Sequence, residues 1–186
     1  MKKFELTTDS IKRNGVTLYR IKSLIDFEDV KAGDLGGYVE KEENLSQSGN
    51  AWVYGNAEVS GDACVSGNAR VSGDACVSDD ACVSGDALVS GDALVYGDAC
   101  VSGDALVSGD ALVSGDADYI YLKGFGSHNR STTMFRAKGG NICVSCGCFS
   151  GTLEEFESKV KETHGSNKFA REYLALVEAA KIHFEV

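Results

Sequence analysis

From residue 49 to 118 the apolar positions follow one rule. Alanine recurs every six residues, from Ala51, Ala57 and Ala63 to Ala117, and a valine stands two places after each from Val53 to Val113. The unit is A-x-V-S-G-[DN]. A period of six does not fit the 3.6 residues of a helical turn. Alternation of Ala and Val with x and Ser is strand spacing, so each unit predicts a short strand with Ala and Val inward. Gly followed by Asp or Asn makes the corner, because both tolerate positive φ. Asp79 alone takes a Gly slot, which predicts a strained or differently shaped corner. A repeat this regular reads as a solenoid.

Three units make a coil of 18 residues, and coils stack about 4.8 Å apart. The x positions then form vertical rows: Trp52, Arg70, Leu88 and Leu106; Glu58, Cys76, Leu94 and Leu112; Cys64, Cys82, Cys100 and Asp118. All are expected to point outward. Leu88, Leu94, Leu106 and Leu112 have three readings: scattered surface leucines, a subunit interface, or a face covered by residues 119–186. The interface is the working expectation. The corner row Asp62, Asp80, Asp98 and Asp116 stacks like charges, at about 0.9 kcal/mol per neighbouring pair in water. Corner N–H groups donating to these carboxylates, or bound Ca²⁺, would offset that.

Both solenoid ends need caps. Residues 1–48 read as a hairpin cap, turned at Asn14-Gly15, followed by a first imperfect coil in which Val39 and Leu45 take the alanine slot. Residues 119–186 read as a small α+β domain that can close the other end. "DYIYLKGFG", "TTMFRAK" and "NICVSCGC" predict three strands. Thr152 with Glu155 predicts a helix start, followed by an apolar face of Leu153, Phe156 and Val160. Glu155/Lys159 and Glu157/Lys161 support that helix as i, i+4 pairs. A second helix is expected near 167–184, burying Phe169, Tyr173, Leu176, Val177 and Ala180. The fold class is therefore mainly β.

The repeat resembles the hexapeptide-repeat, left-handed β-helix family, with Ser in the second slot and Gly in the third as departures. The resemblance implies a left-handed parallel β-helix and a homo-oligomer, with a trimer favoured. The segments "GSHNRSTTMF", "VSCGCFSGTLEEFESKVKETHG" and "NKFAREYLALVEAAK", with "VKAGDLGGYVE" near the start, are similar to uncharacterised phage and prophage proteins that join such a helix to a small C-terminal module. That likeness implies a phage setting and brings no established activity.

Charge narrows the partners. The net charge of −10 belongs to the repeat, where Arg70 faces 12 acids; residues 119–186 carry 9 bases against 7 acids. Such a repeat repels phosphate backbones, so nucleic-acid binding is not expected there. With no apolar run behind Lys2 and Lys3 and no long apolar stretch, a cytoplasmic chain without signal peptide or membrane span is expected, in the host cell if phage-encoded. Its seven cysteines are then expected to stay reduced.

Candidate chemistry is sparse. Hexapeptide-repeat acyltransferases need a basic histidine beside the coils, and residues 1–127 contain none. Cys143, Cys146 and Cys148, with His128 or His164, could hold zinc, but on a strand Cys143 faces away from the other two; a buried structural role is the expectation. No cofactor or metal is expected. The segment "GFGSHNRST" offers exposed N–H groups together with Ser127, His128, Asn129, Arg130, Ser131 and Thr132, which suit a phosphate or carboxylate. These readings lead to a non-enzymatic, oligomeric scaffold or binding protein. Its C-terminal module would recognise a phosphorylated small molecule or a host protein, in a phage counter-defence role. The alternative is an acyltransferase-like hexapeptide-repeat enzyme.

Overall fold

A computed structural model describes residues 2–186. It is mainly β: a parallel β-solenoid with antiparallel strands at its N-terminal end, and an antiparallel sheet carrying two helices at the other. The N-terminal strands are β1 (Phe4–Arg13), β2 (Val16–Ser23) and β3 (Leu35–Val39). Asn14 (φ 49°) and Gly15 (φ 87°) turn the β1–β2 hairpin, as their positive-φ tolerance predicts.

Eleven two-residue strands, β4 to β14, then run from Trp52–Val53 to Leu112–Val113 at six-residue intervals. Every third strand pairs in parallel, giving faces β4-β7-β10-β13, β5-β8-β11-β14 and β6-β9-β12. Trp52 pairs with Arg70, Arg70 with Leu88, and Leu88 with Leu106, so the 18-residue register holds. Each Ala and Val from Ala51 to Val113 lies in the core with at most 1% exposure. Backbone groups bond from coil to coil, as in Leu88 N–H to Ala105 O (2.9 Å). The repeat is thus explained by its environment: every copy meets the same neighbours above, below and inside.

The first coil corrects one expectation. Val39 pairs with Val59, and Leu45 bridges to Val65, so both take the valine slot. The partners lie twenty residues on, and the two extra residues fall between Leu45 and Trp52. There Gln47 Oε1 accepts the Lys3 N–H at 2.8 Å and anchors β1. β1, β2 and β3 extend one solenoid face into a seven-stranded sheet, β1-β2-β3-β5-β8-β11-β14.

Trp52 corrects a second. It leaves the solenoid on the outer side, but Phe4 and Phe27 cover it edge-on (centroids 6.2 and 5.5 Å), and it is 1% exposed. Arg70 below it is held by Glu28 and Asp29. Lys3 seals this end: its buried ammonium donates to Ala51 O at 2.9 Å and to Gly49 O at 3.4 Å, over the Phe27 ring.

The acidic corners are settled by various means. Asp62 pairs with Lys41 (2.6 Å), and Asp116 accepts the Cys100 N–H (3.1 Å). Asp80 and Asp98 stand exposed. In the other two corner rows an asparagine heads the column, with Asn56 donating to Asp74 and Asn68 to Asp86. The Asp79 corner keeps the shape of its glycine neighbours (φ 60°). Asp118 leaves the cysteine row; it accepts from Ser114 and pairs with Arg136.

The C-terminal sheet has four strands where three were expected: β15 (Tyr119–Phe125), β16 (Arg130–Arg136), β17 (Ile142–Cys146) and β18 (Phe149–Thr152), in that spatial order. Its two faces divide by alternation. Tyr119, Tyr121, Phe135 and Cys143 pack against the solenoid core, and Phe135 is buried in it. Ile120, Met134, Val144 and Cys146 pack with the helices α1 (Leu153–His164) and α2 (Lys168–Phe184). The sheet is therefore a lid over the last coil: Ala111 bridges to Ala137, and Thr133 Oγ1 accepts the Leu106 N–H at 2.9 Å.

The capping box of Thr152 and Glu155 opens α1. Glu155 is used there, so Lys159 pairs with Glu162 instead, while Lys161 pairs with Glu157 as expected. On α2, Ala170 is buried and Phe169 only half so.

Candidate ligand site

The turn between β15 and β16 places Ser127, His128 and Asn129 in solvent. Its backbone is not an open cradle, because Glu172 Oε2 accepts the Gly126 N–H at 3.1 Å. Thr132 is fully buried on the helix side and donates to Cys146 Sγ at 3.2 Å. Arg130 and Ser131 are the two members of this segment that line cavities.

Arg130 occupies the rim of the sheet, opposite the β17–β18 turn. Gly147 (φ 60°) forms that turn, and a Cβ there would overlap the guanidinium. The missing side chain lets Arg130 lie across the end of the sheet and reach both faces. Among the described residues no carboxylate lies within 4.0 Å of it, although other arginines, such as Arg70 and Arg136, are paired.

On the helix side Arg130 borders a cavity of about 400 Å³. Cys146, Cys148 and Phe149 form one wall; Phe156, Lys159, Thr163 and His164 of α1 and Tyr173 of α2 form the other. Three basic side chains line it, and no acid does. The aromatic lining is built by packing: Phe149 on Phe156 (5.2 Å), Phe156 edge-on to Tyr173 (5.5 Å), and His164 stacked on Tyr173 (5.8 Å). Burial, with the adjacent Cys146 thiol, pushes Tyr173 up to about 12, and its hydroxyl donates to Phe125 O at 3.5 Å. Arg130 and His164 come from segments 34 residues apart, so their meeting could not be read from spacing alone.

On the solenoid side Arg130 borders a second cavity of about 280 Å³, with Asp104, Leu106, Ser131, Thr133, Ser145 and Gly147. Ser145 is 2% exposed, and its Oγ has no hydrogen-bond partner. Leaving such a hydroxyl unpaired costs about 1–3 kcal/mol. Alternation along β17 points to this residue in retrospect: Cys143 and Ser145 share the solenoid face.

The cysteines are free thiols. Cys143 lies on the solenoid face, Cys146 on the helix face and Cys148 beyond the turn, in solvent. Among the described residues no group of three or more His, Cys, Asp or Glu side chains could hold a metal ion. Burial raises Cys76, Cys82 and Cys143 above the ordinary thiol value. Leu106 abuts the C-terminal sheet; Leu88, Leu94 and Leu112 are half-buried. Among the described residues no helix is long and apolar enough to cross a membrane.

These features define a β-solenoid repeat protein with a lid module. A family model described as YdcK Beta solenoid repeat matches residues 63–79, about one coil. Over 51 residues the chain is 43% identical to a protein of Escherichia coli (strain K12) described as uncharacterized acetyltransferase YdcK. That match covers 27% of this chain and 15% of the relative.

Proposed function

We propose that the C-terminal module binds a small anionic molecule with an apolar or aromatic portion in the larger cavity, and that the solenoid is its rigid scaffold. The carrying observation is the unpaired Arg130 guanidinium beside Lys159, His164 and three aromatic rings, in a chain of net charge −10. A guanidinium offers a planar fork to phosphate or carboxylate. The rings Phe149, Phe156 and Tyr173 supply a stacking surface for the remainder. Phenyl phosphate is the simplest probe, read by calorimetry on the full chain. Arg130→Ala is expected to weaken it at least about tenfold, and Lys159→Ala by less, because Lys159 also pairs with Glu162. Unchanged binding in Arg130→Ala would reject the site.

A second reading, acyl transfer, is favoured by the likeness to the uncharacterized acetyltransferase. The comparisons speak for this reading more than for simple binding; the geometry speaks for binding. His164 is the histidine that a cavity offers as a base, and it belongs to the module rather than to the coils. Acetyl-CoA separates the two: binding with transfer to an amine or alcohol supports the enzyme, and binding without turnover supports the binding protein.

Multiplicity belongs to the same proposal. The half-buried Leu94 and Leu112, stacked on the β5-β8-β11-β14 face, with Leu88 on the neighbouring face, are where copies would assemble, and the phage setting would make the assembly a trap for a host signal. Light scattering on wild type and Leu94→Glu tests it: a multimer that falls to monomer supports assembly, and a monomeric wild type ends it.

A further inference from the structure

We propose that the smaller cavity, at the seam between the last solenoid coil and the C-terminal sheet, is a polyol subsite, so that the ligand class is a sugar phosphate with its phosphate on Arg130 and its hydroxylated part against Ser145. This rests on the anion-binding reading, because Arg130 is common to both cavities.

Three hydroxyls, one carboxylate and one guanidinium surround about 280 Å³. Thr133 Oγ1 already accepts the Leu106 N–H at 2.9 Å, which leaves its own proton free to donate. Ser131 Oγ lies 3.4 Å from the Tyr121 hydroxyl. The Asp104 carboxylate is tied to Lys123 and accepts from Tyr121 at 3.1 Å, with lone pairs to spare. Ser145 Oγ is buried and unpaired within this set. The wall thus offers donors and acceptors side by side.

Ligand classes sort themselves against that wall. An apolar group would leave Ser145 unpaired. A fully ionised anion would suit Arg130 but offers no donor to the Asp104 carboxylate, whose charge Lys123 already offsets. Hydroxyl groups both donate and accept, so a polyol satisfies Ser145, Thr133 and Asp104 together. Bound hydroxyls also gain specificity from sites whose polar groups are otherwise unpaired.

Calorimetry on the full chain with inorganic phosphate, glycerol 3-phosphate and ribose 5-phosphate tests this. Affinity is expected to rise along that series, and Ser145→Ala is expected to lower ribose 5-phosphate affinity about tenfold while leaving inorganic phosphate unchanged. The same substitution removes an unpaired buried hydroxyl, so the unliganded variant keeps or gains thermal stability; a merely structural serine would lose stability and leave the series intact. Equal affinity for the three probes, or an unchanged series in Ser145→Ala, overturns the subsite. If phenyl phosphate still binds and depends on Arg130, the anion-binding reading survives that result. If no phosphate compound binds, both fall.

Discussion

Residues 49–118 and residues 119–186 use their side chains in opposite ways. In the solenoid nearly every residue has a structural task repeated from coil to coil: Ala and Val fill the interior, Gly turns the corner, and the backbone amides bond upward. In the lid sheet the same kind of alternation serves two unlike surroundings. Phe135 plugs the solenoid, Met134 packs under the helices, and Arg130 at the rim and the buried Ser145 are left unpartnered. Groups with no task in the fold collect where the repetition stops. The candidate sites of this chain therefore lie at the seam and in the module.

That contrast can be broken most forcefully inside the solenoid. Val89 lies at the middle of a four-stranded face, paired on both sides with Val71 and Val107, and has no exposure. Val89→Asp buries an unpaired charge in a dry stack and is expected to cost at least about 4 kcal/mol, read as lost cooperative unfolding by circular dichroism. Retained stability would mean that the interior is wet. Phe135→Ala is next, at about 3–5 kcal/mol, because the ring leaves a hole in the last coil. The lid should loosen before the coils do, so amide exchange is expected to rise in β15 and β16 and at the last strands, and to stay slow near β7. A uniform rise would show that lid and solenoid unfold as one unit.

Much of this architecture is legible in the amino-acid sequence. Period six, inward Ala and Val, the Asn14-Gly15 hairpin and the Thr152 capping box all depend on local rules, and all hold. Most of the failures share a cause, which is contact between distant segments. Val39 and Leu45 shift slots because a two-residue insertion serves Gln47 and the N-terminus. Trp52 is covered by rings from residues 4 and 27. β18 is four residues long with a glycine inside, too short to announce itself beside a helix start. At the site, Arg130 is visible as a candidate by residue type. Its reach across Gly147, the helix-side cavity and the unpaired Ser145 emerge only from strand register.

The two ends of the solenoid differ as well. The C-terminal end is closed by a sheet with its own core, whereas the N-terminal end is closed by Phe4, Phe27 and Trp52 around one buried ammonium. Burial lowers Lys3 from 10.5 to about 8. The unfolded chain holds that proton up to about pH 10.4, so between about 8 and 10.4 the unfolded state binds more protons and stability rises with pH. The full span is worth about 3 kcal/mol at most. Thiols and Tyr54 titrate in the same range, so the quantity to measure is the stability of wild type minus that of Lys3→Met. It is expected to be flat below about pH 7 and to climb from about pH 8 to 10. A flat difference throughout would place the Lys3 ammonium in water.

The smallest effect tests whether the repeat's one irregular corner is a defect. Asp79 holds φ at 60°, within a few degrees of the 62–73° spanned by the corner glycines. That conformation costs a non-glycine residue about 1–2 kcal/mol, less for Asp. Asp79 Oδ2 also accepts the Gly97 N–H from the next coil at 3.2 Å. Such a bond contributes about 0.5–1.5 kcal/mol. Asp79→Gly relieves the strain but removes the bond and loosens the unfolded chain, so the net change should lie within about 1 kcal/mol of zero. Asp79→Ala keeps the strain and loses the bond, and is expected to be less stable than both by about 1 kcal/mol or more. Denaturant midpoints of the three proteins decide it. If the alanine variant matches wild type, the carboxylate contributes nothing, and the corner is tolerated only because the coils around it are strong; if it falls below both, Asp79 is a substitution that supplies its own compensation, even within a segment built on sameness.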